Sequence, residues 1–393
     1  MTVLGSRLVR PLTPKEAPVP TSPLLAAREL FSQLDANAQS APPGEPVPRA
    51  SMDLLIDAGL LGLMVPRAVG GSELALPDIV DVYEEVARAD GSTGWCYFAA
   101  DCTAAYFGAY LDDAGAETVF ADGVPLMAGQ FAPNGTASVH DDELVINGDY
   151  QFGSGIAHAD WVGAGVLTNA DEGLDPEYLF ACFPAAEAEL RGNWHVLGLQ
   201  ATASYDYGLR DVHAPRNQAF NFFVPTVHRG GPLYTLGVMP LTAAGHAGWA
   251  LGVTRRVLDE VAAVASSVTR LGATSSLSTN ERFLYEFGHL EGRLRAGRAW
   301  VREVCTAAEA EAAREGAISA LTASLVREAC RMVNQDGADI ARQAYLLAGT
   351  RALRDGPIQR GFRDLHAGSQ HFFASPAAAI ELASTLLNTS DAG

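Results

Sequence analysis

Residues 143–161 read ELVINGDYQFGSGIAHADW, and here the pattern of apolar residues changes from helical to strand-like. Apolar and polar residues alternate in this stretch, which is typical of a half-buried strand. Similar runs follow as WVGAGVLT, EYLFACF, NWHVLGL and YGLRDVHAP, separated by Asn-Gly, Asp-Glu-Gly and Pro-Arg-Asn turn signals. These runs predict a compact antiparallel β domain over residues 127–232.

Helical patterns lie on both sides of this domain. In residues 78–90, DIVDVYEEVARAD, apolar side chains recur at helical intervals. One apolar stripe in the C-terminal third is formed by Leu321, Leu325, Ala329, Met332 and Val333. We therefore predict a flexible arm over 1–21, a helical domain over 22–126 and a helical bundle over 233–393. Because helices and strands are segregated, the fold class is mainly α with a central β domain.

The charge balance argues against two classes of partner. The 393 residues carry 27 Lys and Arg against 46 Asp and Glu, a formal net charge of −19. Such a chain repels phosphate backbones and anionic membrane surfaces, so we expect neither nucleic acid nor membrane as a partner. The five cysteines lack metal-ligand spacing and predict reduced thiols in a cytoplasmic protein.

The C-terminal segment 357–371, PIQRGFRDLHAGSQH, concentrates the most chemistry in the chain. His366 and His371 are five residues apart, which is not the spacing of a helical metal pair, so we expect no metal site. A neutral imidazole facing a ligand pocket can act as a general base. Spacing alone leaves open a second interpretation, a salt-bridged helix end with structural histidines.

Three further segments are candidates for a ligand site. Ser154 lies between two glycines at a strand end, where a hydroxyl can reach a ligand or merely occupy a hairpin turn. Its surroundings lack the spacing of a hydrolase nucleophile elbow. Residues 198–206, GLQATASYD, gather small hydroxyl residues in a tight connection. An aromatic helix with Trp95, Tyr97 and Phe98 is either plain core or the wall of a ligand pocket.

Taken together, these segments resemble the acyl-CoA dehydrogenase superfamily, and most closely its branch of two-component flavin-dependent monooxygenases, the group D aromatic hydroxylases. FGSGIAHADW resembles the branch's FxSGIxHAxW, GLQATASYD its GLxGTGSxD, and IQRGFRDLHAGSQH its LQRxxRDxxxxxxxH. The resemblance implies an N-terminal helical domain, an antiparallel β domain and a C-terminal four-helix bundle. It also implies a homotetramer.

The resemblance assigns roles to individual residues. It places Ser154 beside the N5 and O4 edge of the flavin, and it places His371 on the side of flavin C4a and the substrate. His366 ranks second to His371 in contact with substrate. Further flavin contacts are implied for Trp161, Thr202, Ser204 and Arg270. Substrate contacts are implied for Trp95, Tyr97 and Phe98.

One departure within the superfamily distinguishes the branches. Acyl-CoA dehydrogenases carry a catalytic glutamate at a position that Phe372 occupies here. The resemblance therefore implies hydroxylation of an aromatic or polycyclic molecule through a C4a-hydroperoxyflavin. FADH2 or FMNH2 would come from a separate NAD(P)H reductase, with O2 as co-substrate. Alternatives are an N-oxygenase acting on an amine or amino sugar, an acyl-CoA dehydrogenase, and a scaffold that has lost its flavin.

Overall fold

The computed structural model describes residues 22–42, 44–168, 175–267 and 276–388. The predicted arm over 1–21 and the predicted flavin contact Arg270 lie outside these residues. Five helices come first, namely α1 (Pro23–Ser40), α2 (Arg49–Asp57), α3 (Leu76–Ala89), α4 (Gly91–Tyr110) and α5 (Asp113–Val119). Seven strands follow, namely β1 (Met127–His140), β2 (Glu143–Gly153), β3 (Trp161–Thr168), β4 (Tyr178–Pro184), β5 (Glu189–Leu190), β6 (Tyr205–Pro215) and β7 (Ala219–Asn221). Five helices complete the chain, namely α6 (Val238–Ser267), α7 (Glu281–Glu315), α8 (Ala320–Ala348), α9 (Pro357–Gly368) and α10 (Ala377–Asn388).

Helix α4 is the buried centre of the N-terminal region. It begins at Asp90, whose side chain accepts a hydrogen bond from the Thr93 N–H and so satisfies one of the free donors of the first turn. Every residue of α4 except Ala99 is buried, because α3 and α6 cover it on the helical side and β1 on the sheet side. The side chains of α4 therefore contact the core or a site in every direction.

The strands form one sheet in the order β5-β6-β2-β1-β3-β4-β7. Of the pairs in the described strands, five are antiparallel and one, between β1 and β3, is parallel. The prediction of an antiparallel domain is thus correct except for that pair. The parallel pair arises from the connection through residues 154–160. This connection links the end of β2, on one side of β1, to the start of β3 on the other side of β1.

Two local predictions in the sheet region are wrong. The Asn147-Gly148 dipeptide lies inside β2, at an irregularity in its pairing with β6, and the hairpin turn between β1 and β2 is at Asp141 and Asp142. The run NWHVLGL, residues 193–199, forms a loop and no strand. Its Trp194 indole N–H donates to the Leu199 carbonyl at 2.9 Å, so an internal bond replaces pairing with a neighbouring strand.

Helix α6 is the central element of the C-terminal region and packs against α3, α4, α8 and α9. The helical bundle and the mainly α fold with a central sheet are confirmed. No described helix is long and apolar enough to cross a membrane. The polar cluster described next lies where α4, the β2–β3 connection, the loop before β6 and the segment after α9 converge.

Candidate active site

A chain of hydrogen bonds joins three of the predicted residues to the aromatic helix. The Trp95 indole N–H donates to Ser154 Oγ at 3.0 Å, and Ser154 Oγ lies 2.8 Å from Ser204 Oγ. Ser204 Oγ lies 2.7 Å from Thr202 Oγ1, which in turn donates to the Leu199 carbonyl at 2.8 Å. Segments distant in sequence therefore meet at one row of hydroxyls.

All hydrogen bonds in this chain are donated in the same direction, from Trp95 toward the Leu199 carbonyl. The single proton of the Thr202 hydroxyl is used on the Leu199 carbonyl, so Thr202 accepts from Ser204. Ser204 therefore accepts from Ser154, and Ser154 accepts from Trp95. Ser154 has then donated its proton and keeps one free lone pair. Because Ser154 is only half-buried while Thr202 and Ser204 are buried, that lone pair is the accessible end of the chain.

The loop that carries these hydroxyls is held against α9. A Cβ on Gly198 would lie 2.0 Å from the Arg363 carbonyl oxygen, so the two backbones touch. The next residue, Leu199, donates its N–H to Asp364 Oδ1 at 2.6 Å. Leu199 and Ala203 both adopt the left-handed region, with φ of 55° and 44°. Ala203 stands where the branch's motif has glycine, and the positive φ explains why glycine suits that position.

Asp364 is a buried carboxyl group with one unpaired oxygen. The side chain is 3% exposed, and its Oδ2 has no hydrogen-bond partner among the residues that the structure describes. Burial raises the pKa of Asp364 to about 7, and the charge of Asp90 adds to the rise, while the Leu199 N–H, Arg360 and Arg363 oppose it. The carboxyl is therefore partly protonated near neutral pH while it holds the hydroxyl loop.

This raised pKa makes the free energy of unfolding depend on pH. An unfolded aspartate titrates near pH 4, so the contribution of Asp364 is fully present below that pH and is lost as pH rises through about 7. We expect the stability of the wild type relative to Asp364→Asn to fall by roughly 2 to 3 kcal/mol between pH 5 and pH 8. Urea unfolding at matched subunit concentration measures this difference. A flat difference between the wild type and Asp364→Asn across this pH range would contradict the assignment.

His371 packs against the ring of Trp95, whose indole N–H begins the hydroxyl chain. Its ring centroid is 5.4 Å from that of Trp95 and 5.6 Å from that of Phe373. The Phe373 N–H donates to His371 Nδ1 at 3.4 Å, which leaves the ring proton on Nε2. Burial lowers the pKa of His371 to about 4, so the imidazole is neutral. In this arrangement His371 offers a hydrogen-bond donor rather than a free basic nitrogen.

A second histidine that the sequence interpretation missed lies beside it. His246 on α6 is fully buried, and its ring stacks on His371 at 5.0 Å between centroids with an interplanar angle of 26°. Burial lowers the pKa of His246 well below its usual value, and the nearby His371 adds to this effect. Within the described part of the chain, His246 Nε2 has no hydrogen-bond partner.

The structure brings five of the predicted residues together and separates others. Trp95, Ser154, Thr202, Ser204 and His371 form the cluster, and Phe98 packs on Trp95 at 5.4 Å. Tyr97 is not part of it, because its hydroxyl donates to the Leu60 carbonyl in the helical core.

Two other predicted residues lie on neighbouring elements. The His366 Nδ1 bonds the Phe362 carbonyl of its own helix, and its ring packs on that of Phe362. Trp161 begins β3 in register with Met127 and Pro184. Their roles as ligand contacts stay predictions.

Family models match both helical regions. Residues 26–127 match the acyl-CoA dehydrogenase N-terminal domain, and residues 244–376 match the acyl-CoA dehydrogenase C-terminal domain. The chain belongs to the acyl-CoA dehydrogenase family.

Individual relatives specify the branch. The chain is 25% identical over 331 residues to an indole-3-acetate monooxygenase of Acinetobacter baumannii, covering 81% of this chain and 82% of that protein. It is 26% identical over 351 residues to the oxygenase component of an FADH(2)-dependent resorcinol hydroxylase of Rhizobium sp., covering 83% of this chain and 84% of that protein. A crystal structure of a 3-HSA hydroxylase from Rhodococcus sp. shares the fold, with a TM-score of 0.86 and 19% identity over 94% of this chain and 97% of that one. The homologues of the present chain are thus oxygenase components of flavin-dependent monooxygenases.

Proposed function

We propose that the protein is the oxygenase component of a two-component monooxygenase that uses reduced flavin to hydroxylate an aromatic or polycyclic small molecule. The observation that carries the proposal is the hydroxyl chain that ends at Ser154, bridged by Trp95 to the neutral imidazole of His371. The names of the relatives support it, since they describe monooxygenases of an indole and a resorcinol.

The polarity of the hydroxyl chain suits a reduced flavin. Ser154 presents a lone pair and no free proton, because its own proton is donated to Ser204. A reduced flavin carries an N–H at N5, whereas an oxidised flavin has an acceptor there. When bound, FADH2 or FMNH2 supplies two electrons and the ring position at which O2 is activated. Ser154, backed by Ser204 and Thr202, would hold the N5 edge, and Trp161 and Arg270 remain further proposed contacts.

This polarity gives a testable effect of Ser154→Ala. The variant loses the acceptor and leaves the Trp95 N–H unpaired, so we expect reduced flavin to bind about 10-fold more weakly, with a smaller change for oxidised flavin. Anaerobic equilibrium dialysis with reduced and oxidised FAD and FMN measures both affinities. Ser278→Ala, at an exposed site, is the matched control. An equal loss for both redox states would contradict the argument from donor direction.

The aromatic residues around His371 keep the reacting oxygen away from water. Trp95, Phe98 and Phe373 are buried and surround the two histidine rings. Exclusion of water strengthens hydrogen bonds inside the pocket and limits side reactions. The Nε2–H of His371 would donate a hydrogen bond to an oxygen atom bound beside it. His371 acts as a base only if Nδ1 releases the Phe373 N–H, and that bond is long at 3.4 Å.

The dehydrogenase alternative lacks its base at the expected position. Phe372, at the place of the dehydrogenase glutamate, is 50% exposed, and the Arg327 guanidinium lies 5.8 Å from its ring centroid. An apolar ring cannot take the α-proton of an acyl thioester. We therefore place the protein on the oxygenase side of the family.

The experiment that tests this function follows the oxygen atom. Protein, reduced FAD and 18O2 are mixed with indole-3-acetate, resorcinol or p-hydroxyphenylacetate, which are aromatic probes of different shape. We expect at least one probe to gain a single 18O in a reaction that needs added reduced flavin. Reduction of enzyme-bound oxidised flavin by an acyl-CoA, with no labelled product from any probe, would establish the dehydrogenase instead.

We extend the proposal to the partners of the reaction. A separate NAD(P)H:flavin reductase supplies the reduced flavin in the cytoplasm, where the five buried cysteines stay reduced. We also propose a homotetramer. Apolar side chains exposed on the outer helices and suited to a subunit interface include Leu284, Tyr285, Leu346 and Ile380. Sedimentation velocity should give the mass of four subunits, and a monomer at micromolar concentration would contradict the assembly.

A further inference from the structure

His246 is held by hydrogen bonds that determine where its proton lies. Asn334 on α8 places its Nδ2 2.9 Å from the Cys330 carbonyl oxygen and 2.9 Å from His246 Nδ1. A carbonyl oxygen can only accept, so the Cys330 contact fixes the amide nitrogen on this side of Asn334. The second proton of that amide then points to His246 Nδ1, which must accept it. The neutral ring therefore carries its own proton on Nε2.

The resulting N–H donor is buried and unpaired. His246 is 0% exposed, and Nε2 has no partner among the described residues. Nearly all buried polar groups in native proteins are hydrogen-bonded, and leaving one unpaired costs about 1 to 3 kcal/mol. A ligand that arrives with an acceptor atom would satisfy the donor.

The direction of the N–H places that ligand beside the site already described. Because Nδ1 faces Asn334 and Cys330 on α8, Nε2 points away from α8 toward the rings around His246. These rings are Trp95 at 4.9 Å, His371 at 5.0 Å, Trp249 at 5.6 Å, Phe98 at 5.9 Å and Phe373 at 6.5 Å between centroids. The donor thus lies among the same aromatic rings that surround His371.

The charges around the pocket restrict the acceptor to a neutral group. His246 and His371 are both neutral, and the guanidinium of Arg327, which lies over Phe372, is paired with Glu381 through Nη1, although its buried Nε has no partner among the described residues. One neutral N–H does not offset the cost of removing a carboxylate from water. It does offset the cost for a carbonyl or hydroxyl oxygen.

We infer that His246 is a specificity residue whose Nε2–H binds an uncharged oxygen on the aromatic substrate, a ring carbonyl or a phenolic hydroxyl. The inference rests on the proposed function, because it names the substrate class of the same pocket. A hydrogen bond at this point would also orient the substrate ring relative to His371, whose imidazole stacks on that of His246. Purely hydrocarbon rings and rings bearing a carboxylate in this position bind more weakly.

The test compares two ligands of one shape. Acetophenone and α-methylstyrene differ in that a carbonyl oxygen replaces a methylene group, so only the first can accept a hydrogen bond. Equilibrium dialysis is carried out anaerobically on the protein loaded with reduced FAD. We expect the wild type to bind acetophenone about 10-fold more tightly than α-methylstyrene. In His246→Phe this preference should disappear, because the ring is kept and the donor is lost.

Controls separate this inference from the proposed function. His289→Phe changes an exposed histidine on α7 and should keep the preference. His246→Leu removes the same donor with a smaller side chain and replaces the Phe variant if that protein does not fold. Equal binding of the two ligands by the wild type, binding of neither, or an unchanged preference in both His246 variants overturns the inference while flavin binding stands. Failure of the wild type to take up reduced FAD overturns the proposed function instead.

Discussion

His371→Ala is expected to lower the yield of hydroxylated product per reduced flavin consumed by about 10²-fold, because a positioned donor or proton-transfer group contributes a factor of this order. His371 is half-buried and lies in the segment after α9, outside the long helices of the bundle, so the variant should keep its fold. Reduced flavin is still oxidised in the variant, and the oxygen appears as hydrogen peroxide. Product and peroxide are measured in the same reaction by chromatography and a peroxidase assay.

A matched histidine gives the control for this result. His289 is exposed on α7, and His289→Ala should leave the ratio of product to peroxide unchanged. His371→Asn, which keeps an N–H donor, should recover part of the yield. A wild-type ratio of product to peroxide in His371→Ala would show that this residue takes no part in the reaction, even if the other assignments hold.

Gly198→Ala is expected to have the second largest effect, and it acts through the backbone. A Cβ at this position would lie 2.0 Å from the carbonyl oxygen of Arg363 and 2.2 Å from its carbonyl carbon. Neither atom is the end of a flexible side chain, so the hydroxyl loop must move away from α9. The displacement breaks the bond from Leu199 to Asp364 and misplaces Thr202 and Ser204. We expect a loss of about 1 to 3 kcal/mol in unfolding free energy and at least 10-fold weaker binding of reduced flavin.

Another glycine in the chain distinguishes this clash from a general effect of alanine. Gly288 lies in α7 with no atom within 4 Å of the position of an added Cβ. Gly288→Ala should stabilise the protein by up to about 1 kcal/mol through helix propensity, with no change in flavin binding. Urea unfolding and anaerobic flavin titration of both variants decide the point. Wild-type flavin affinity in Gly198→Ala would show that the loop does not hold the cofactor.

Much of the fold was predictable because its signals are local. Apolar residues at helical spacing identified α3, and alternation identified β2, since each pattern reflects one buried face. The parallel pairing of β1 with β3 was not predictable in this way, because it depends on the path of residues 154–160 rather than on their composition. The strand predicted at 193–199 failed for a related reason, since an apolar run does not reveal whether a partner strand is available.

Site residues that lie in short sequence motifs were predictable. Site residues that are identified only by what surrounds them in the folded chain were not. Ser154 and His371 lie in segments that resemble the family's motifs, so order along the chain was enough to select them. Tyr97 and Trp95 could not be separated, because α4 is buried on all sides and its periodicity does not show which face is the pocket. His246 gave no signal, since its partner Asn334 is 88 residues away and only the folded chain brings them together.

One stopped-flow measurement tests the central claim most directly. The protein is loaded with reduced FAD or FMN without oxygen, mixed with O2, and followed by absorbance in the absence of substrate. The proposed function predicts a long-lived species whose absorbance differs from both reduced and oxidised flavin, and a shorter lifetime for it in His371→Ala. Oxidation of the flavin in one step at the rate of free flavin, with or without any aromatic substrate, would contradict the assignment of this chain as an oxygenase.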